Sequence, residues 1–144
     1  MARTHYQKLE SLYLNIPLGD FYDTTEIQVS KAAAEIRLAV APKYHMGLGF
    51  THGSVYFRLL DDACFYACMS VEEEVHLLTS RFQIEFLKPV TSGTLIAKGR
   101  LREVLGKGYV ADAMLYDEND NQIAYGSGHF AKSRIPLAEI ENYK

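Results

Sequence analysis

The chain is poor in the features that would specialise it. Among its 144 residues there are two cysteines, Cys64 and Cys68, four apart in a stretch that reads as helix. They read as reduced, buried thiols packing like small apolar groups. No run approaches the roughly 18 apolar residues that a membrane span needs. The opening Met1-Ala2-Arg3-Thr4-His5-Tyr6 lacks the apolar core of a signal peptide, so the expected compartment is the cytoplasm, with no membrane partner. Neither sign of charge dominates: 15 basic and 18 acidic residues leave a net charge of -3. A nucleic-acid binder usually leaves a basic footprint, so nucleic acid is not the expected partner. A small anionic ligand held by a local basic cluster stays possible. The histidines, at 5, 45, 52, 76 and 129, have no ligand spacing, so no metal is expected. There is no repeat, linker or low-complexity stretch, which predicts one domain over residues 1–144, long enough for a real core.

Periodicity supplies the elements. Residues 3–15 place Tyr6, Leu9, Leu12 and Tyr13 near one side of an amphipathic helix, ended by Pro17 and Gly19. The core is expected over about residues 25–132. Lys31 to Ala41 alternates Ala34, Ile36, Leu38 and Val40 against Glu35 and Arg37, a half-buried strand. After a loop over Pro42–Thr51, residues 53–69 are apolar nearly all round, which predicts a long buried helix with Thr51 as its N-cap. Strand-like runs follow at Leu77–Leu87, Thr94–Leu105, Tyr109–Tyr116 and Gln122–Ala131, and the turn residues Asp117 to Asn121 separate the last two. Short connections imply an antiparallel sheet. One helix apolar on most sides needs a sheet curved around it, so the predicted class is α+β.

The stretch Gly49-Phe50-Thr51-His52-Gly53-Ser54 leads into this helix and delivers unpaired backbone amides at its positive end. Such an end can stabilise an oxyanion, and Gly53 has no side chain to keep a reacting group away. Further along, Asp61 and Asp62 interrupt the apolar pattern. A buried carboxylate is expensive unless paired or used. The two acids either mark a solvated stripe, cap a neighbouring strand, or carry function.

Gly49, His52, Gly53, Ser54, Leu59, Asp61 and Ala63 together resemble the signature of hotdog thioesterases of the phenylacetic-acid-degradation type. Phe82-Gln83-Ile84-Glu85-Phe86-Leu87-Lys88-Pro89-Val90 with Gly93 resembles that family's next strand and proline turn, and Ala124 to Phe130 its last strand. The likeness runs over about residues 31–132. It implies a hotdog fold, a curved antiparallel sheet wrapped around one long central helix, and hydrolysis of acyl-CoA thioesters. It implies no cofactor beyond the coenzyme A of the substrate. Asp61 matches the general base or nucleophile, Gly53 the amide donor to the thioester carbonyl, and Thr79 a position where some members place a serine that positions water. His52 matches the family histidine, read as structural at the helix start, and Asp62 ranks second among the acids. Many members carry an asparagine six residues before that histidine; here the position is Met46, and His45 beside it is the nearest polar substitute. Ser54 belongs to the same loop. Candidates for the CoA phosphates are Arg81, Lys88, Lys107, Lys132 and Arg134. Tyr56, Phe57, Phe65, Tyr66 and Phe82 are candidates for the acyl pocket or plain core.

Gly53 and Asp61 are eight residues apart, about 12 Å along a helix axis. Reacting groups must come within about 3 to 3.5 Å. One helix therefore cannot bring both to one thioester, whereas two antiparallel copies related by a two-fold axis can. A homodimer is expected, and the resemblance implies a further pairing of dimers. Two other readings share the fold: a non-catalytic acyl-CoA binder, which Met46 favours, and an enoyl-CoA hydratase or dehydratase using His52.

Overall fold

The computed structural model describes residues 2–144. Helix α1 (His5–Leu14) is followed by strands β1 (Glu26–Ser30) and β2 (Ala33–Ala39), then by helix α2 (Gly53–Met69). Strands β3 (Val75–Phe86), β4 (Thr94–Leu105), β5 (Gly108–Tyr116) and β6 (Gln122–Pro136) complete one six-stranded sheet. Its order is β1-β2-β4-β5-β6-β3, and every neighbouring pair is antiparallel. The sheet curves around α2, as the apolar circumference of that helix predicts.

The core lies between α2 and the concave face. Leu59, Leu60, Ala63 and Ala67 pack against Ile36 and Leu38 of β2, Leu95 and Ala97 of β4, and Ala111 and Leu115 of β5, all buried. Gly99 is what lets β4 approach so closely. A Cβ there would overlap the backbone carbonyl of Ala63.

Three local readings need correction. The N-cap of α2 is His52, not Thr51: the His52 Nδ1 accepts from the Ser54 amide at 3.0 Å. Thr51 is instead paired into an isolated bridge with His45, which removes it from the helix end. The strand read from Lys31 begins at Ala33, because Lys31 and Ala32 form the turn of a hairpin with β1. That turn contains no glycine, and Ala32 itself takes a left-handed φ of 62°. β6 continues past Ala131 to Pro136.

α1 starts with a capping box, in which Thr4 and Gln7 each bond the other's backbone. It buries Leu9, Leu12 and Tyr13 and lies against β1, where the Glu10 carboxylate accepts from the Val29 amide at 2.8 Å.

Candidate active site

Most of α2 is enclosed, but one stripe is not. Gly53, Phe57, Asp61 and Phe65 fall at successive four-residue steps, which on a helix form one face. Gly53, Asp61 and Phe65 are half-buried, and Phe57 is exposed to 41%. β3 lies beside this stripe. Thr79 donates its hydroxyl to Asp61 Oδ1 at 2.9 Å, Phe82 meets Phe57 edge-on at 5.3 Å between centroids, and Phe86 packs over Gly53.

Strict alternation along β3 cannot give that arrangement, because Thr79 and Phe82 differ in parity. A bulge resolves the conflict. Thr79 pairs with Phe130 and Arg81 with His129, so Ser80 is the extra residue. Its hydroxyl donates to the His129 carbonyl at 3.1 Å. The inward face thereby runs Leu77, Thr79, then Phe82, Ile84 and Phe86. The bulge is what aims Thr79 at Asp61 while leaving the aromatic residues facing the helix.

Burial pushes the Asp61 carboxyl above the usual carboxylate range, and the Thr79 hydrogen bond pulls it partly back. Asp62 is engaged differently. Its Oδ2 accepts from the Tyr13 hydroxyl at 2.7 Å and lies 3.5 Å from Arg58 Nε. Burial pushes this carboxyl up to about 7, against the pull of the Tyr13 hydroxyl and the Arg58 guanidinium. Arg58 is itself buried between the rings of Tyr13 and Tyr22, 5.0 and 4.0 Å from their centroids, and donates to Thr25. Asp62 thus ties α1 and the segment after it to α2.

Asp61 and Asp62 open into one cleft of about 290 Å3, walled by α1, α2 and β3. Its aromatic side includes Phe65, Tyr66 and His76, with Phe65 and His76 at 5.2 Å between centroids. Desolvation lowers the His76 pKa, which favours a neutral ring. The sequence singled out neither His76, Tyr13 nor Arg58 as a site residue, since nothing in their spacing ties them to Asp61.

The other candidates lie elsewhere. His52 and Ser54 are occupied with each other at the start of α2, the Ser54 hydroxyl lying 2.8 Å from His52 Nδ1. His45 is held by the Thr91 carbonyl at 2.8 Å. Met46 is exposed, with its amide bonded to the Phe50 carbonyl. Arg81 and Lys88 are exposed on and just after β3, and Lys107 borders a separate small depression with Ser80 and Tyr109. Among the described residues, no three His, Cys, Asp or Glu side chains come together as a metal-ligand set. No helix among them is long and apolar enough to cross a membrane.

Comparison with known proteins adds a family. The model of the thioesterase superfamily matches residues 48–124, just over half of the chain and inclusive of α2 and β3. A Saccharolobus solfataricus protein provisionally named an esterase is 31% identical over 93 residues, which cover 65% of this chain and 62% of that protein. The chain thus aligns with about three-fifths of that relative's length. The solved PaaI protein of the E. coli phenylacetic acid degradation operon superposes with a TM-score of 0.81 at 21% identity, covering 92% of this chain and 95% of the other. A Streptococcus mutans protein solved with acetyl-CoA bound gives 0.70 at 20% identity, covering 76% and 88%.

Proposed function

The chain belongs to the thioesterase superfamily and has the hotdog fold, and from that premise we propose that it hydrolyses acyl-CoA thioesters at a site shared by two copies. The observation that carries the reading is the Asp61–Thr79 pair at 2.9 Å, set in a cleft beside an open helix stripe that also contains Gly53. A desolvated carboxylate held by one hydroxyl is poised as a base at ordinary pH.

In this mechanism the Gly53 amide at the start of α2 polarises the thioester carbonyl. Asp61 of the second copy takes a proton from water as it attacks, or attacks the carbonyl itself to give an anhydride that water then cleaves. The carbon–sulfur bond breaks, coenzyme A leaves as its thiol, and the free acid follows. Thr79 holds the carboxylate in orientation. The acetyl-CoA ligand of the Streptococcus mutans structure supports a CoA thioester as the substrate class.

Two features support the pairing. On one helix the two groups are about 12 Å apart along the axis. β3 is an edge strand of 12 residues with Leu78 and Phe86 exposed to 52% and 55%, a liability for a lone chain unless another copy covers it. A complementation test separates a shared site from a self-contained one. Asp61→Asn and Gly53→Pro, the latter removing the amide at a first helical position that accepts proline, should each be inactive alone; the two are unfolded together and re-paired in equal amounts. Half of the pairs then hold one intact site each, so about a quarter of wild-type activity returns. No recovery in mixed pairs verified by mass sinks the shared site.

A further inference from the structure

The cleft beside Asp61 continues away from the reacting position and ends against α1, which no role has so far claimed. Its lining contains Asp61, Asp62 and the half-buried His76 but no lysine or arginine. The phosphate-bearing end of coenzyme A has no counter-charge in this lining, and the Asp61 carboxylate would repel it. The remaining wall is apolar or aromatic: Leu12 and Ile16 from α1 and its exit, Phe65 from α2, and Leu78 from β3. A thioester whose carbonyl sits at Asp61 therefore places its acyl chain, not its nucleotide, in this cleft.

The end wall is fixed. Tyr13 of α1 is bonded to Asp62 and stacked on the Arg58 guanidinium, and Glu10 of the same helix accepts from the Val29 amide of β1. α1 is thus pinned to α2 and to the sheet on either side of Leu12. The cleft, about 290 Å3, is open on its other side, so it is this pinned wall that limits how far a chain can run toward α1.

We propose that α1 is the end wall of the acyl site, with Ile16 and Leu12 limiting the length of the acyl chain. This rests on the thioesterase reading of Asp61 and adds to it a substrate class, short to medium acyl-CoA.

The test is kcat/KM for straight-chain acyl-CoAs from two to sixteen carbons, measured by release of the CoA thiol. The wild type should reach a maximum at a short or medium chain and fall at least tenfold by sixteen carbons. Ile16 is only half-buried, so it can be changed while the fold is checked by thermal unfolding. Ile16→Ala should move the maximum longer by about two carbons, and Ile16→Phe should move it shorter. Equal rates on eight and sixteen carbons, or a length profile that neither variant moves, overturn the wall while leaving hydrolysis intact. If no thioester is hydrolysed, the hydrolytic reading fails, and the affinities of the matching non-hydrolysable acyl-CoA thioethers decide the wall alone. A peak at a short or medium chain that follows the Ile16 variants upholds it, and a flat series overturns it.

Discussion

Replacing Asp61 with asparagine keeps the shape of the side chain and removes only its charge and basicity. The Thr79 hydroxyl, 2.9 Å from Oδ1, still finds an oxygen to donate to, so the side chain stays where it is. Burial raises the Asp61 carboxyl in the folded state, and the sign of the stability effect follows. A carboxyl whose folded pKa lies above its unfolded one contributes stability that is present below the unfolded value and lost as pH rises through the folded value. At neutral pH the ionised Asp61 therefore costs stability, and the neutral asparagine relieves that cost. The variant should unfold at the same temperature as the wild type or slightly higher. Its kcat for acyl-CoA hydrolysis should fall at least a hundredfold, about 2.7 kcal/mol on the barrier, the lower range for loss of an essential acid or base. The assay is continuous absorbance of a thiol reagent under saturating substrate, with the unfolding curve taken on the same preparation. A folded variant whose kcat stays within threefold of wild type refutes the assignment of Asp61. Single turnover in 18O water then tests for the anhydride, because label enters the Asp61 carboxylate only when water cleaves that intermediate at the Asp61 carbonyl.

Thr79→Ala removes the hydroxyl that draws the Asp61 carboxyl down, so its pKa should rise further. The acidic limb of the kcat/KM profile should move to higher pH, with the larger loss at low pH. An unmoved limb would show that the bond does not govern the base. Gly99→Ala drives a methyl into the Ala63 carbonyl, where backbone faces backbone and neither can swing away. A loss of about 3 kcal/mol is expected from denaturant unfolding, the upper part of the range for overpacking.

The pattern of apolar residues determined most of the architecture. Residues 53–69 had to be enclosed because they are apolar on nearly every side, and only a curved sheet encloses one helix. The β1–β2 hairpin stayed hidden although Ile27 and Val29 do alternate, because its turn carries no glycine or asparagine and relies on a strained Ala32. Local spacing singled out Gly53 at a helix start and the pair Asp61 and Asp62 on the same helix; the choice of Asp61 over Asp62 came from the family resemblance alone. Of the surroundings of Asp61, Thr79 was named through the resemblance and Phe65 and Tyr66 as pocket candidates, whereas Leu12, Tyr13, Ile16 and His76 were not, because they come from α1 and β3, far away in sequence. The bulge at Ser80, which turns Thr79 toward the carboxylate, is a matter of register between β3 and β6, and no local pattern encodes it. The engagement of Asp62 by Tyr13 and Arg58 likewise depends on where α1 docks. Sequence fixes which groups carry charge and which faces are apolar, because those are properties of single residues and their periods. Tertiary structure decides which of two adjacent carboxylates is tied to Tyr13 and Arg58 and which is held only by Thr79, because that depends on contacts between distant segments.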